Sequence, residues 1–129
     1  MSPTPVSTPN APAAIGPYSQ AIVAGGMVYC SGQIGLVPGT RSLSGDDVAS
    51  QTRQALGNLS AVLEEAGSGL DRVLQTTVYL ADMADFAAMN AVYAEAFGSW
   101  APARATVAVA GLPMNARFEV SCVALRRDA

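Results

Sequence analysis

The chain has 129 residues and a formal net charge of −3 at pH 7, and only 13% of its residues are charged. This length suits one domain with a real core, and the negative charge disfavours a nucleic-acid surface, which depends on neutralising phosphates. Histidine is absent and all seven basic residues are arginines, which excludes a histidine general base, a histidine-ligated metal and a lysine Schiff base. Typical soluble domains are about 25% charged, so this composition predicts a homo-oligomer that covers part of its surface.

The first ten residues contain three prolines among Ser and Thr, which predicts a flexible amino-terminal arm over 1–10 and a single domain over 11–129. Residues 1–40 carry no charged side chain, but proline and glycine interrupt them repeatedly and no basic segment precedes them. We therefore expect neither a signal peptide nor a membrane span there. Cys30 and Cys122 lack metal-binding spacing, so we expect buried thiols and a reducing, cytoplasmic location.

Hydrophobic periodicity predicts seven elements in the order β-β-α-β-α-β-β. They are strands over 19–24 and 27–31, a helix over 46–66, a strand over 73–80, a helix over 83–97, and strands over 104–109 and 116–125. Gly25-Gly26 favours a hairpin turn between the first two strands, and Asp82 is typical of a helix N-cap. Each helix should connect strands as a crossover and pack on the same face of one mixed sheet. The prediction is a two-layer α+β fold whose other sheet face is uncovered.

The last two strands carry the candidate chemistry. Residue alternation puts Arg104 and Thr106 on one face of the first, and Glu119 and Ser121 on one face of the second. We predict an antiparallel hairpin that brings these four side chains together on the uncovered face. Arg104 is the only charged residue in residues 96–116 and needs an anion, for which a carboxylate fits best. Two interpretations stay open: a substrate carboxylate with Glu119 nearby, or a structural Arg104–Glu119 ion pair between strands.

Five segments of this chain resemble, in order, the reactive-intermediate (imine) deaminase family, also called the RidA or YjgF family. They are APAAIGPYSQAI, SGQIG, DFAAMNAVYAEAF, PARATVAV with LP following, and FEVSCVAL, and the similarity runs from residue 11 to residue 127. The resemblance implies a chorismate-mutase-like α+β fold and a homotrimer with a central barrel and three clefts between subunits. It also implies hydrolysis of 2-imino acids and their enamine tautomers, such as 2-iminobutanoate and 2-iminopropanoate, to 2-oxo acids and ammonia. That activity limits metabolite damage and needs no cofactor and no metal.

The resemblance also assigns roles to individual residues. Arg104 matches the arginine that clamps the substrate carboxylate, and Glu119 matches the acid that positions or deprotonates the attacking water. The residues that match the lining of the cleft are Tyr18, Ser31, Gly32 and Asn90. The three polar residues of this set could instead have structural roles. Tyr18 could cap a subunit contact, and Ser31 and Asn90 could satisfy local backbone groups.

Two departures from the family pattern bear on the substrate. Thr106 stands where many members have a cysteine, so its hydroxyl could contact a ligand but thiol chemistry is lost. Ala101 stands where an aromatic residue often precedes PAR, in a connection over 98–101 that looks shorter than usual. This change predicts a wider or reshaped pocket with Trp100 as a substitute wall, and it leaves the side-chain preference open.

Three alternative functions remain beside the leading one. The chain could act on another small imine or enamine acid, or it could bind 2-oxo acids without catalysis. Retention of both Arg104 and Glu119 favours catalysis, because a sensor needs only the arginine. A translation inhibitor or endoribonuclease ranks third, because the chain is acidic and lacks histidine. The expected partners are a small 2-imino or 2-oxo acid and further copies of this chain, without membrane or nucleic acid.

Overall fold

The computed structural model describes residues 2–128, which form one six-stranded sheet with two α-helices. The strands are β1 (Thr4–Val6), β2 (Ala21–Ala24), β3 (Met27–Ile34), β4 (Val73–Leu80), β5 (Ala103–Ala108) and β6 (Phe118–Leu125), and the helices are α1 (Val48–Glu65) and α2 (Phe86–Phe97). The predicted α+β class and the order of its seven elements are confirmed. Strand β1 is an addition at the amino terminus. In residues 2–128 no helix is long and apolar enough to cross a membrane.

Local signals in the sequence account for both helices. Asp47 caps α1 by accepting a hydrogen bond from the Ser50 backbone N–H at 2.9 Å, and Gly67 follows the helix with φ of +80°. A 3₁₀ turn over Met83–Asp85 precedes α2, so the helix begins three residues later than predicted. The apolar stripe of α1 is entirely buried; its members are Val48, Thr52, Ala55, Leu56, Leu59, Val62 and Leu63. These side chains form the core between the helices and one face of the sheet.

The amino-terminal segment differs from the predicted flexible arm. Thr4–Val6 pairs antiparallel with β2 as the edge strand of the sheet. The buried side chain of Gln20 then anchors the following loop: it accepts from the Thr8 N–H at 2.7 Å and donates to the carbonyls of Thr8 and Pro12. Strand pairing and a buried amide outweigh the local preference of a proline-rich segment for disorder. Met1 lies outside the described residues.

The strand order is β1-β2-β3-β6-β4-β5, and only β4 and β5 run parallel. The hairpin predicted between the last two strands is therefore wrong, because β4 lies between them. Helix α2 carries the chain from β4 across the sheet to a parallel neighbour, which places β5 at the edge. Strand β6 enters between β3 and β4 and pairs antiparallel with both, which makes it an interior strand of the sheet.

This topology changes which side chains share a face. In β4, Thr76 pairs in register with Arg104 and is fully buried under α2. Tyr79 lies three residues further along β4, on the opposite face of the sheet, and pairs with Glu119. Paired residues project to the same side of a sheet. Arg104 and Thr106 therefore lie on the helix-covered face, while Glu119 and Ser121 lie on the uncovered face. The prediction that all four share the uncovered face is wrong, and no Arg104–Glu119 ion pair occurs in the described residues.

The uncovered sheet face itself is confirmed. Neither helix of the part of the chain that the structure describes packs over it, and it exposes the side chains of Tyr29, 49% accessible, and Val107, 42% accessible. Burying such surface is favourable by about 25 cal/mol per Å². An apolar, weakly charged sheet face of this kind favours contact with another protein surface.

A candidate active site in two halves

One half of the candidate site surrounds Arg104, and we call it the arginine half; it consists of Arg104, Asn90, Phe86 and Tyr93. Arg104 Nη1 donates a hydrogen bond to Asn90 Oδ1 at 2.7 Å. Its guanidinium carbon lies 4.7 Å from the centroid of the Tyr93 ring and 5.6 Å from that of Phe86, within the range of cation–π attraction. Among residues 2–128, no carboxylate forms an ion pair with Arg104. The cation is thus held in place and lacks an anion.

Helix α2 provides the three contacts to this guanidinium. Phe86, Asn90 and Tyr93 follow one another at spacings of four and three residues, which places them on one side of a helix. Tyr93 is fixed from behind, since its hydroxyl shares a hydrogen bond of 2.8 Å with Oγ1 of the fully buried Thr76. Burial also raises the pKa of Tyr93, so it remains a neutral phenol. The ring therefore offers the arginine a rigid and uncharged platform.

Thr106 lies two residues beyond Arg104 on the same face of β5. Its Oγ1 is buried and has no hydrogen-bond partner among the described residues. A buried hydroxyl without a partner costs free energy, and a thiol at this position would cost less. The predicted contact between Thr106 and a ligand remains a prediction.

The other half of the candidate site surrounds Glu119, and we call it the glutamate half; it consists of Glu119, Gly32 and Tyr18. These three residues line one cavity of about 300 Å³, whose remaining walls are largely apolar and include Ile15, Ile34, Pro113 and Met114. Burial raises the pKa of Glu119. A carboxyl group in such surroundings is able to exchange a proton closer to neutral pH than an exposed glutamate.

Gly32 makes room for the carboxylate. It lies in a β-bulge of β3, where the register with β6 shifts between Cys30 and Gln33. A methyl group at Gly32 would lie 2.7 Å from Oε2 of Glu119 and 3.1 Å from its Cγ, both closer than ordinary contacts. The absence of a side chain at this position is therefore what lets Glu119 occupy its place.

Tyr18 and Ser31, both predicted to line the cleft, have different surroundings. Tyr18 is 54% exposed, and its backbone N–H donates to the Gly16 carbonyl at 2.9 Å, so the loop presents the phenol at the mouth of the cavity. Ser31 Oγ donates to the Ser19 carbonyl at 2.6 Å. The hydroxyl of Ser31 is thus engaged by a local backbone group, which is the structural alternative considered for it.

The two halves lie on opposite faces of the same sheet, with β4 between the strands that carry Arg104 and Glu119. Side chains on opposite faces of a sheet cannot grip one small molecule. One chain therefore contains both halves but does not bring them together. Among the described residues, no three His, Cys, Asp or Glu side chains come close enough to hold a metal ion.

The sequence did not identify Phe86 and Tyr93 as contacts of the arginine. Tyr93 lies on the buried side of α2, together with Met89 and Phe97. Phe86 is 37% exposed and faces Arg104 instead. The spacing of Phe86, Asn90 and Tyr93 indicates that they share one side of the helix. That spacing identifies Arg104 as their contact only once β5 is known to lie beneath α2.

Comparison with known proteins gives a consistent result. A family model described as endoribonuclease L-PSP matches residues 8–126. The chain is 47% identical over 119 residues to the chloroplastic Reactive Intermediate Deaminase A of Arabidopsis thaliana, covering 92% of this chain and 64% of that protein. It is 45% identical over 121 residues to the human 2-iminobutanoate/2-iminopropanoate deaminase, covering 94% of this chain and 88% of the human one.

Solved structures show the same fold. Yeast Mmf1 is 40% identical and superposes with a TM-score of 0.94, covering 98% of this chain and all of that chain. E. coli TdcF, solved with bound serine, is 37% identical with a TM-score of 0.91, covering 95% of this chain and 98% of that one. The six-stranded mixed sheet with two helices on one face is therefore an architecture that these proteins share.

Proposed function

Because the chain belongs to the endoribonuclease L-PSP family, which is the RidA/YjgF family of imine deaminases, we propose that it hydrolyses 2-imino acids to 2-oxo acids and ammonia. The observation that carries this proposal is the immobilised guanidinium of Arg104, which has aromatic and amide contacts but no carboxylate partner in the described residues. The planar fork of arginine fits a carboxylate with two parallel hydrogen bonds. Substrates such as 2-iminobutanoate and 2-iminopropanoate supply that carboxylate.

Glu119 is the proposed general base. An iminium carbon is already electrophilic, so water attacks it without a covalent nucleophile on the protein. Glu119 takes a proton from the water as its oxygen bonds to the iminium carbon, and the proton then passes to the nitrogen. The carbon–nitrogen bond breaks, ammonia leaves, and the remaining hydroxyl loses its proton to give the 2-oxo acid. A positioned base of this kind contributes about 10²- to 10⁴-fold to the rate.

The complete site requires two copies of the chain. Arg104 and Glu119 lie on opposite sheet faces of one chain, so the Glu119 that serves a given Arg104 must come from another subunit. A homotrimer with three clefts between subunits, as the family resemblance implies, would provide this arrangement. The exposed apolar sheet face and the low charged fraction of 13% support association.

A solved relative supports the size and chemistry of the ligand. TdcF of E. coli has been solved with serine, a small molecule with a carboxylate next to the carbon that bears nitrogen. A 2-imino acid has the same carbon skeleton at these two positions. Arg104 would then hold the carboxylate while Tyr18 and Gly32 enclose the reacting end beside Glu119.

The test is an imine lifetime assay with 2-iminobutanoate released in situ by a threonine dehydratase. The wild-type protein should speed the loss of imine, and Arg104→Lys should reduce kcat/KM by at least about tenfold, because an ammonium group cannot form the bidentate contact. Glu119→Gln should reduce kcat by about 10²-fold or more while calorimetry still detects 2-oxobutanoate binding. Arg53→Lys, on the exposed side of α1, is the matched control and should behave as wild type. Binding of 2-oxobutanoate with an unchanged imine lifetime would instead identify a non-catalytic binding protein.

A further inference from the structure

A second cavity of about 420 Å³ opens next to Arg104 on the helix-covered side of β5. Its walls are formed mainly by Tyr93, Phe97, Trp100, Ala101 and Pro102, with Arg104 at one end. This volume lies within the range of about 300–1,000 Å³ that is typical of small-molecule pockets. The cavity is separate from the one that contains Glu119.

Apart from Arg104, the side chains that line this cavity are either apolar or have their polar groups already hydrogen-bonded. The Tyr93 hydroxyl is already bonded to Thr76, and the Trp100 indole N–H donates to the Val73 carbonyl at 2.7 Å. The lining therefore combines one cation with rings and aliphatic groups. A ligand that matches it has a carboxylate at one end and an apolar group at the other.

The aromatic walls are held in place. The indole hydrogen bond fixes Trp100 although that side chain is 44% exposed, and the rings of Tyr93 and Phe97 pack with their centroids 4.6 Å apart. Ala101 also lines the cavity, and its side chain is only a methyl group. The cavity is thus preformed, and its free volume depends on the small side chain at position 101.

We propose that this cavity receives the side chain of the 2-imino acid, and that Ala101 makes the protein select large apolar side chains over small ones. The inference rests on the proposed function and names its substrate class: 2-imino acids with branched aliphatic or aromatic side chains. With the carboxylate on Arg104, the cavity beside Ala101 is an apolar space that directly adjoins it. Each methylene group buried there adds about 0.8 kcal/mol, or about fourfold in kcat/KM.

The test compares imino acids that an L-amino acid oxidase releases in situ from leucine and from alanine. For the wild type, kcat/KM should be at least about tenfold higher for the leucine-derived imine, which has three more carbons. Ala101→Phe fills the cavity and should lower this ratio by about tenfold or more. Ala88→Phe, the same change on the exposed outer side of α2, should leave the ratio at its wild-type value. Thermal melts check folding, and Ala101→Leu replaces the phenylalanine variant if that variant does not fold.

A binding measurement separates this inference from the proposed reaction. Calorimetry with the products, 4-methyl-2-oxopentanoate and 2-oxopropanoate, should show tighter binding of the former and loss of that difference in Ala101→Phe. If this binding difference is observed but the protein hydrolyses no imine, the side-chain pocket is supported and the proposed hydrolysis is rejected. If the protein hydrolyses imines but Ala101→Phe does not change the ratio of kcat/KM for the leucine-derived and alanine-derived imines, the hydrolysis is supported and the side-chain pocket is overturned.

Discussion

At the residue scale, Glu119 combines a catalytic position with an altered proton affinity. It lies partly buried on the uncovered face of β6, and burial raises its pKa above the ordinary value of 4.5. Only the carboxylate form accepts a proton from water. We therefore expect kcat/KM to fall as the pH drops through this raised pKa, at a higher pH than for an exposed glutamate. A pH–rate profile from pH 4 to pH 8 measures the midpoint, and a midpoint at or below 4.5 would contradict the assignment.

The raised pKa of Glu119 also makes the stability of the folded state depend on pH. The folded state binds the Glu119 proton more tightly than the unfolded state, so the carboxylate form costs stability. This cost appears as the pH rises from the unfolded pKa through the folded pKa and is fully present at neutral pH. Glu119→Gln should therefore raise Tm at pH 7 and have little effect below pH of about 4. Thermal melts of both proteins at the two pH values test this, with Glu64→Gln on the exposed side of α1 as the control.

At the element scale, the β-bulge of β3 determines where the carboxylate of Glu119 can lie. Gly32 has no unusual backbone conformation, so the backbone tolerates alanine. The alanine methyl group, however, would lie only 2.7 Å from Oε2 of Glu119 and would push the carboxylate out of its place. We expect Gly32→Ala to reduce kcat by about 10²-fold, since a shift of about 1 Å in a catalytic group has effects of this size. Steady-state kinetics of imine hydrolysis measure the loss.

Gly57→Ala is the matched control for this substitution. Gly57 lies in α1, and a methyl group there meets no atom within 4 Å. It should leave kcat unchanged and raise stability by about 0.5–1 kcal/mol, because alanine favours helix over glycine. A Gly32→Ala protein with wild-type kcat would show that catalysis does not depend on the observed position of the carboxylate.

Helix α2 shows how one element can hold a functional residue that belongs to another. Phe86, Asn90 and Tyr93 contact Arg104 from one side of the helix, and Thr76 of β4 anchors Tyr93 from below. The crossover from β4 through α2 to β5 places helix, anchor and arginine in contact. The topology that excluded the predicted hairpin is thus also what immobilises the guanidinium.

At the scale of the whole molecule, the proposed site requires that different subunits supply Arg104 and Glu119. Arg104→Ala and Glu119→Gln subunits should each be inactive alone, yet co-expressed subunits should form some clefts that contain both wild-type residues. Random assembly from equal amounts should restore roughly one quarter of the wild-type activity. Activity of the mixed oligomers, isolated with two different affinity tags, measures the recovery.

The alternative arrangement gives a different result in the same experiment. If both residues of a site came from one chain, no mixed oligomer would contain an intact site, and activity would stay at the level of the single variants. Co-expression of Arg104→Ala with the Arg104→Lys variant is the control, since no cleft then contains a wild-type arginine. Activity in that control above the level of the Arg104→Lys variant alone would trace the recovery to a contaminant.

The sequence by itself determined the elements and their internal faces. The apolar stripe of α1, the Asp47 cap, the glycines after both helices and the alternation in β6 are all local features of the sequence, and each is present in the structure. Such features follow from helix and strand periodicity and from the conformational range of single residues. They also carried the family resemblance, which the comparisons confirmed.

Only the tertiary structure decided which strands are neighbours, and with that the geometry of the site. Alternation tells which residues of a strand share a face, but it does not tell which face of one strand matches which face of another. The parallel crossover put β5 beside β4, and β6 filled the gap between β3 and β4, so Arg104 and Glu119 came to lie on opposite sides of the sheet. Strand pairing depends on contacts between residues far apart in the chain, and for this reason the local pattern could name both functional residues but not place them together or apart.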